Sequence, residues 1–386
     1  MLYHILLQVC KLNGSTVEWV KEDNYVFNLS PYKERIRKWL TEENVVRPKN
    51  FLPLALKCLD VDDKLSVSRD RRRLKWGIRV PDDETQTIYV WFDALMNYLT
   101  VGKNCGKSQV WPPTMHIIGK DIIKFHIVYW PAFLMAAGLS LPKTVFVHSH
   151  WLVDGVKMSK SLGNVIDPNE VVEQLTVDGL RYFLLRQGTP HADANFAMLK
   201  AVNLVNTDLV NNLGNLLQRA TVEKLNPAQK YPNFALETLK GEVELMSRQL
   251  LKELEGLRDK CSANYKAGLV YKALDDISAV ARLGNAFFQF AAPWQSNNPS
   301  QNSTVLFITY ETIRICGCLL QPVVPDYCDR LLSRLGITAK ERSFDSIVFG
   351  GGKVAKLPGR ALGPNNGPVM ERIKIEEPLM ATKVAR

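Results

Sequence analysis

Residues 115–135 read MHIIGKDIIKFHIVYWPAFLM. The apolar opening fits a short buried strand that ends at Gly119, and the residues after it have helical spacing. Asp121, Phe125 and Tyr129 recur at i, i+4 and i+8, with His126 and Trp130 alongside. In a doubly wound parallel sheet, ligands sit at the carboxyl ends of strands, and a glycine there lets backbone approach a nucleotide closely. An acid, an imidazole and several aromatics would then share one crevice. Residues 87–99 have the same grammar: a strand TIYVWF over Thr87–Phe92 runs into a helix from Asp93, and Trp91, Ala94, Leu95 and Tyr98 add an apolar lining. Taken singly, either segment also reads as plain core, with His126 a satisfied buried histidine.

Downstream, residues 153–164 read VDGVKMSKSLGN. Lys157 and Lys160, bracketed by Gly155 and Gly163, suit a mobile strap over a triphosphate, where ammonium groups follow the charge that develops on departing pyrophosphate. Taken alone, two lysines in a loop are as readily a solvated turn. A helix start follows: Asp167 can cap, Pro168 suits the first helical position, and Glu170 stands where a capping box needs an acid.

The order YVWFDALMNYL, HIIGKDIIKFH, VDGVKMSKS resembles the methionyl-tRNA synthetases of class I, and its organellar or bacterial-like branch is nearest in pattern. The resemblance runs from about residue 14 to about Arg342. It implies an α/β chain: a partial Rossmann-type nucleotide-binding domain with a remnant of the inserted connective region over 1–150, and the lysine strap with a stem-contact region over 151–195. An all-α anticodon-binding bundle over 196–342 and a tail over 343–386 complete it. Trp91, Ala94, Leu95, Tyr98, Phe125 and His126 look like the methionine pocket, whose stacked rings suit a polarizable thioether. Gly119 and Asp121 resemble the ribose-binding pair, and Lys157, Ser159 and Lys160 the strap that holds ATP, with Lys160 the transition-state lysine and Lys157 assisting. The implied reaction is attack of the methionine carboxylate on the α-phosphorus of ATP, then transfer from methionyl-adenylate to tRNA(Met). Magnesium travels with the ATP, and positioning plus charge stabilisation replaces any covalent nucleophile.

This sequence departs from the family at its start. Class I enzymes carry an early His-x-Gly-His signature, and none of the six histidines here has that spacing. The expectation is therefore an N-terminally truncated form. The run Met1–Cys10 is too short for a membrane anchor and reads as a stray strand or an unstructured end. With 386 residues, 46% of them hydrophobic, the chain is long enough for two cores and lacks an uninterrupted spanning stretch. A net charge of +10 suits a polyanionic partner. Seven cysteines without a Cys-x-x-Cys pair argue against a disulfide framework and a thiolate zinc site. Localisation by resemblance is the mitochondrial matrix, otherwise the cytoplasm. The basic run Arg69–Trp76 (RDRRRLKW) is either a nucleic-acid patch or a solvated charged face.

From about Asn195 the pattern becomes helical: Leu199–Asn206 continues into Asp208–Leu217, and further helices cover roughly 236–261, 264–291 and 303–319. By resemblance the bundle reads the anticodon. Pro293 and Trp294 match its signature, Trp294 offering a face for a stacked base, and Asn206 and Asn211 are tRNA contacts from the preceding helix. Without the resemblance, Trp294 reads as a core plug at a helix end. The tail beyond Arg342 is rich in Gly, Pro and Lys. Two other readings stay open: a non-catalytic tRNA-binding remnant, and another class I synthetase such as a leucine or cysteine enzyme. The WFDAL motif, Phe125-His126 and Pro293-Trp294 argue for methionine.

Overall fold

A computed structural model describes residues 21–104, 110–352 and 356–374, together with Thr16. The opening run Met1–Cys10, and Gly14 where the family pattern starts, lie outside the described residues. The chain divides into two compact units, the first ending at His148 and the second beginning at Ser149.

In the first unit, β1 (Val26–Asn28) leads to α1 (Ser30–Glu42), where Ile36, Trp39 and Leu40 recur at three- and four-residue spacing and are buried. Next come β2 (Val46–Arg47), α2 (Leu52–Lys57), β3 (Lys64–Ser66), β4 (Ser68–Asp70), β5 (Arg79–Val80) and β6 (Asp83–Ile88). The unit closes with α3 (Val90–Asn104), β7 (His116–Gly119), α4 (Trp130–Ala136) and β8 (Val145–His148). Strands β2, β8 and β7 make a parallel sheet with β8 central, in the register His116 to Val145 and Gly119 to His148. Val145 and Val147 are fully buried, as the middle strand of a parallel sheet requires. Strands β4, β6 and β5 form a separate antiparallel sheet, and β1 pairs with β3.

The strand expected through Phe92 is shorter than the sequence implied. It ends at Ile88, and the helix begins at Val90. Tyr89 makes its last sheet contact by donating its amide to the Val67 carbonyl, and its own carbonyl then accepts from the amides of Phe92 and Asp93. Those bonds start the helix, and Asp93 in its first turn complements the positive end. Trp91 is therefore a helical residue.

The second unit opens with a hairpin of β9 (Trp151–Val153) and β10 (Val156–Lys157). Its turn residues Asp154 and Gly155 have φ of 51° and 76°, the left-handed pair that matches strand twist. In α5 (Pro168–Gln187), Asp167 caps as expected, but it accepts from the Asn169 amide, one position short of Glu170. Thr176 breaks α5 at φ 65° and ψ 164°, and its Oγ1 accepts from the Gly179 amide to restart the helix. Then β11 (Ala194–Asn195) pairs with β9, and α6 (Met198–Val205) passes through a π-helical stretch, Asn206–Gly214, into α7 (Asn215–Ala220). The bundle is completed by α8 (Gly241–Lys266), α9 (Val270–Ala291), α10 (Pro299–Leu320) and α11 (Pro325–Arg334).

Helix α10 is long and apolar enough to cross a bilayer, yet 94% of its apolar window is buried by its neighbours. Its buried threonines are satisfied from within: Thr304, Thr309 and Thr312 donate to carbonyls four residues back. Glu311 and Arg314 form an ion pair at 2.6 Å with no solvent exposure. Arg314 also donates to the carbonyls of Ser346 and Val348, while Glu311 accepts from the Gly350 amide and the Tyr231 hydroxyl. The glycine-rich segment after Arg342 is thereby held against the bundle, and farther along Leu357, Val369 and Met370 are buried.

Removing one partner of a buried ion pair strands the other charge, at about 3–5 kcal/mol. Glu311→Ala should therefore lower the chain's stability by that order in denaturant unfolding. The paired replacement Glu311→Leu with Arg314→Met should recover much of it but leave residues 343–351 sensitive to limited proteolysis. A paired variant as protected as the parent would show that the ion pair does not hold the segment.

Candidate functional site

Within the first unit, the opening turn of α3 and the helix after β7 bring Trp91 and Phe125 face to face, with ring centroids 3.7 Å apart and planes within 17°. They wall a small apolar cavity of about 20 Å³ that Leu95, Tyr89, Tyr129 and Phe133 also line. That is room for about one water. Leu95 is buried as expected of a lining residue, whereas Ala94 faces solvent one position away on the helix and does not line the cavity.

Behind Phe125, the helix runs π-helical from Phe125 to Tyr129, an irregularity frequent at functional sites. His126 is buried, and its Nδ1 donates to the Ile122 carbonyl at 3.0 Å, since a carbonyl can only accept. Its Nε2 is therefore the acceptor, and the Tyr98 hydroxyl donates to it at 2.8 Å. A second buried histidine, His116, accepts the Trp130 indole N–H at Nε2 and lies 4.3 Å from the Tyr98 ring. Burial, and secondarily the neighbouring His126 ring, hold His116 down to about 4, while burial also lowers His126. Both rings are thus neutral hydrogen-bonding groups near pH 7.

This has a sign that can be measured. A histidine whose folded pKa lies below its ordinary 6.5 stabilises the fold above that value and less as pH falls toward 4. The melting temperature should be flat from pH 8 to 7 and decline between about 6.5 and 4, and His116→Gln should flatten part of that decline. An unchanged pH profile in the variant would remove His116 as the cause.

At the end of β7, a Cβ on Gly119 would come within 2.7 Å of Asp121 Oδ1 and 3.7 Å of the His148 ring, so a larger residue would push the Asp121 carboxylate aside. Asp121 is exposed in the turn that follows.

In the second unit, the lysine strap leaves the β9–β10 hairpin as a braced loop. Asn164 closes it, accepting from the Ser159 amide at 2.9 Å and donating to the Lys157 carbonyl at 3.3 Å. Asn195 accepts from the Gly155 amide at the hairpin tip. A short 3-10 turn carries Lys160, Gly163 ends it at φ 67°, and the Lys157 and Lys160 side chains face solvent.

At the far end of α9, Ala292 turns left-handed (φ 40°), Pro293 is buried and Trp294 emerges 36% exposed. One side of its indole meets Phe288 edge-on at 5.5 Å, and the Arg219 guanidinium lies 5.4 Å from its ring. Trp294 is therefore a half-open platform and does not plug the core. Asn206 corrects an expectation: it is 6% exposed, with its amide donating to the Ile373 carbonyl and accepting from the Ile373 amide. It pins the tail. Asn211 is exposed, and its carbonyl oxygen accepts from Arg372.

A family model for class I (M) tRNA synthetases matches residues 3–221, and one for the anticodon-binding domain of methionyl tRNA ligase matches residues 239–348. The chain belongs to the class I methionyl-tRNA synthetase family. It is 44% identical to the human mitochondrial methionine–tRNA ligase, over 94% of this chain and 64% of that protein. Against the methionine–tRNA ligase of Rickettsia felis it is 36% identical, over 87% of this chain and 66% of that protein. A solved Mycobacterium tuberculosis methionyl-tRNA synthetase in complex with methionyl-adenylate superposes with a TM-score of 0.83 at 34% identity, covering 94% of this chain and 71% of that one. The chain thus spans just under two thirds of the length of the human mitochondrial relative.

Within this methionyl-tRNA synthetase framework, sequence reasoning placed Trp130 beside the crevice but missed His116 and Arg219. His116 and Trp130 hold Tyr98 from behind, and Arg219 stands beside Trp294. Arg219 carried a weak signal: it lies four residues after exposed Asn215 on one face of α7.

Proposed function

We propose that this chain carries the methionine-activating and anticodon-reading parts of a mitochondrial-type methionine–tRNA ligase. The observation that carries the reading is the Trp91–Phe125 stack, with the neutral Tyr98–His126 pair on the same two helices, in a chain of this family. Stacked rings in an apolar, uncharged setting suit an unbranched thioether and disfavour a charged side chain. A cavity of 20 Å³ cannot admit that side chain unless Trp91 and Phe125 part, so methionine would enter by replacing one ring's contact with its own.

The assignments are residues 1–150 to the catalytic domain, 151–195 to the strap and stem contact, 196–342 to the anticodon bundle and 343–386 to the tail. Gly119 and Asp121 would take the ribose of ATP, the glycine by leaving space and the carboxylate by accepting hydroxyl protons. Ser159, Lys157 and Lys160 would follow the phosphates. As the methionine carboxylate bonds to the α-phosphorus and the bond to pyrophosphate breaks, negative charge grows on the leaving group. Lys160, exposed on the loop that Asn164 braces, would meet it. Among the described residues no group of three or more His, Cys, Asp or Glu is arranged to cage a metal, and the nucleotide would bring magnesium as part of the substrate. Mitochondrial relatives and the charge of +10 support a place in organellar translation.

Because Lys160 acts on charge present chiefly in the transition state, Lys160→Ala in the protein bearing this chain should lower methionine-dependent ATP–pyrophosphate exchange on the order of a hundredfold or more, with methionine affinity little changed. An unaltered exchange rate would sink the assignment.

The anticodon reading has its own test. Stacking of a base on an indole is worth about 1–3 kcal/mol, so Trp294→Ala should weaken binding of a methionine anticodon stem–loop by about one to two decades. Arg219→Gln should weaken it less and also lower its salt dependence. If both variants bind the stem–loop as the parent does, the platform is not the reading face.

A further inference from the structure

Neither the pocket nor the anticodon platform uses the basic run of the first unit, where residues 69–79 carry six cations against one carboxylate. The loop that joins β4 to β5 projects Trp76 with 86% of its surface exposed, and Ile78 next to it is 54% exposed. An indole left so open is unusual only if the backbone could have folded it away, and here the backbone is fixed on both sides. The Leu74 amide donates to the Asp70 carbonyl, and Thr87 donates its hydroxyl to the Leu74 carbonyl. A Cβ on Gly77, at φ 141°, would lie 2.6 Å from the Thr87 methyl, and the Ile88 amide bonds the Ile78 carbonyl. The sheet therefore presents the ring outward.

The charges around it divide in a telling way. Arg72 is paired with Asp70, Arg73 with Glu22, and Arg79 with Glu84. Arg69 is spent on Ser66 and on the face of the Tyr89 ring, 4.2 Å away. Arg71 and Lys75 border an open cleft of about 860 Å³ that Glu22, Asp23, Asp70 and Glu84 also line, yet neither cation forms an ion pair among the described residues.

We propose that this loop is a second RNA contact, which holds an unpaired strand by stacking one base on Trp76 and placing Arg71 and Lys75 on the phosphates to either side. A flat, exposed ring on a loop that also carries two cations without an ion-pair partner among the described residues matches the alternation of base and phosphate in a single strand. A duplex would bury its bases and leave the indole idle. The choice of RNA over another polyanion rests on the tRNA-ligase reading above.

The test uses two probes on the full chain: a mixed-sequence single-stranded RNA hexanucleotide and a methionine anticodon stem–loop. Trp76→Ala should weaken the hexanucleotide about tenfold or more, and Arg71→Gln with Lys75→Gln should reduce the slope of log affinity against log salt by about 1.4, two phosphates at ~0.7 each. Neither change should move stem–loop binding, which Trp294→Ala should weaken instead. As Trp76 is a surface residue, an unchanged melting temperature checks that each variant is folded. Failure of the parent to bind the hexanucleotide, or equal affinity in Trp76→Ala, would overturn the proposal. A poly-glutamate peptide that binds as tightly and with the same dependence on Trp76 would also overturn it, in favour of an acidic protein partner. If the hexanucleotide depends on Trp76 while the stem–loop is not bound at all, the second contact stands and the anticodon reading falls.

Discussion

Arg314 sits at zero exposure in the middle of α10, and an ion in that position must find every partner within the protein. Glu311, one turn earlier, supplies the countercharge, but two side chains alone cannot fill five guanidinium donors and four carboxylate lone-pair sites. The Ser346 and Val348 carbonyls bring the guanidinium to four of its five donors, and the Gly350 amide and Tyr231, which precedes α8, complete the carboxylate. The pair is therefore weak evidence of added stability and strong evidence of fixed arrangement: the bundle's central helix cannot bury its charges until the segment after α11 has arrived. Further along, Arg360 grips Glu341, holding that carboxyl down to about 2, and Asn206 binds Ile373. What composition alone reads as a Gly- and Pro-rich tail is a strap around the helices.

The same logic, with neutral groups, governs the pocket. Burial makes protonation of His116 and His126 costly, so each ring must be matched by a partner of fixed polarity. Ile122 can only accept and Trp130 can only donate, and those two facts set the tautomers of both rings and the direction of the Tyr98 hydroxyl. The Tyr98–His126–His116 cluster beside the Trp91–Phe125 helices therefore keeps its neutral charge near pH 7.

Legibility in the sequence followed locality. The strap, the strand ending at Gly119, the Asp167 cap and the bundle helices each depend on residues within about a turn of one another, and their spacing is written in the chain. The start of α3 was misplaced because TIYVWF is rich in β-formers, and the outcome was decided by a bond from Tyr89 to Val67, over twenty residues away in sequence. Asn206 was misassigned for a similar reason: its partner Ile373 lies 167 residues downstream. His116 offered a lone histidine on an apolar strand, which by itself does not distinguish a support from filler.

Both π-helical stretches fall where side chains must leave the ordinary helical repeat. A π-turn widens the ring by one residue, so consecutive side chains meet different neighbours than a period of 3.6 allows. Over 125–129 this lets adjacent Phe125 and His126 serve different partners, the first stacking on Trp91 and the second bonding Tyr98. Over 206–214 it turns Asn206, Asp208 and Asn212 inward together, where Tyr182, Ser278 and Asn285 satisfy the last two. Once the regular helix resumes at Asn215, that residue and Arg219 come round to the exposed side where Trp294 stands. An irregularity that costs helix hydrogen-bond geometry thus sets the rotational phase of the face that follows it. An amphipathic pattern read at constant period through 198–220 goes out of step at that point.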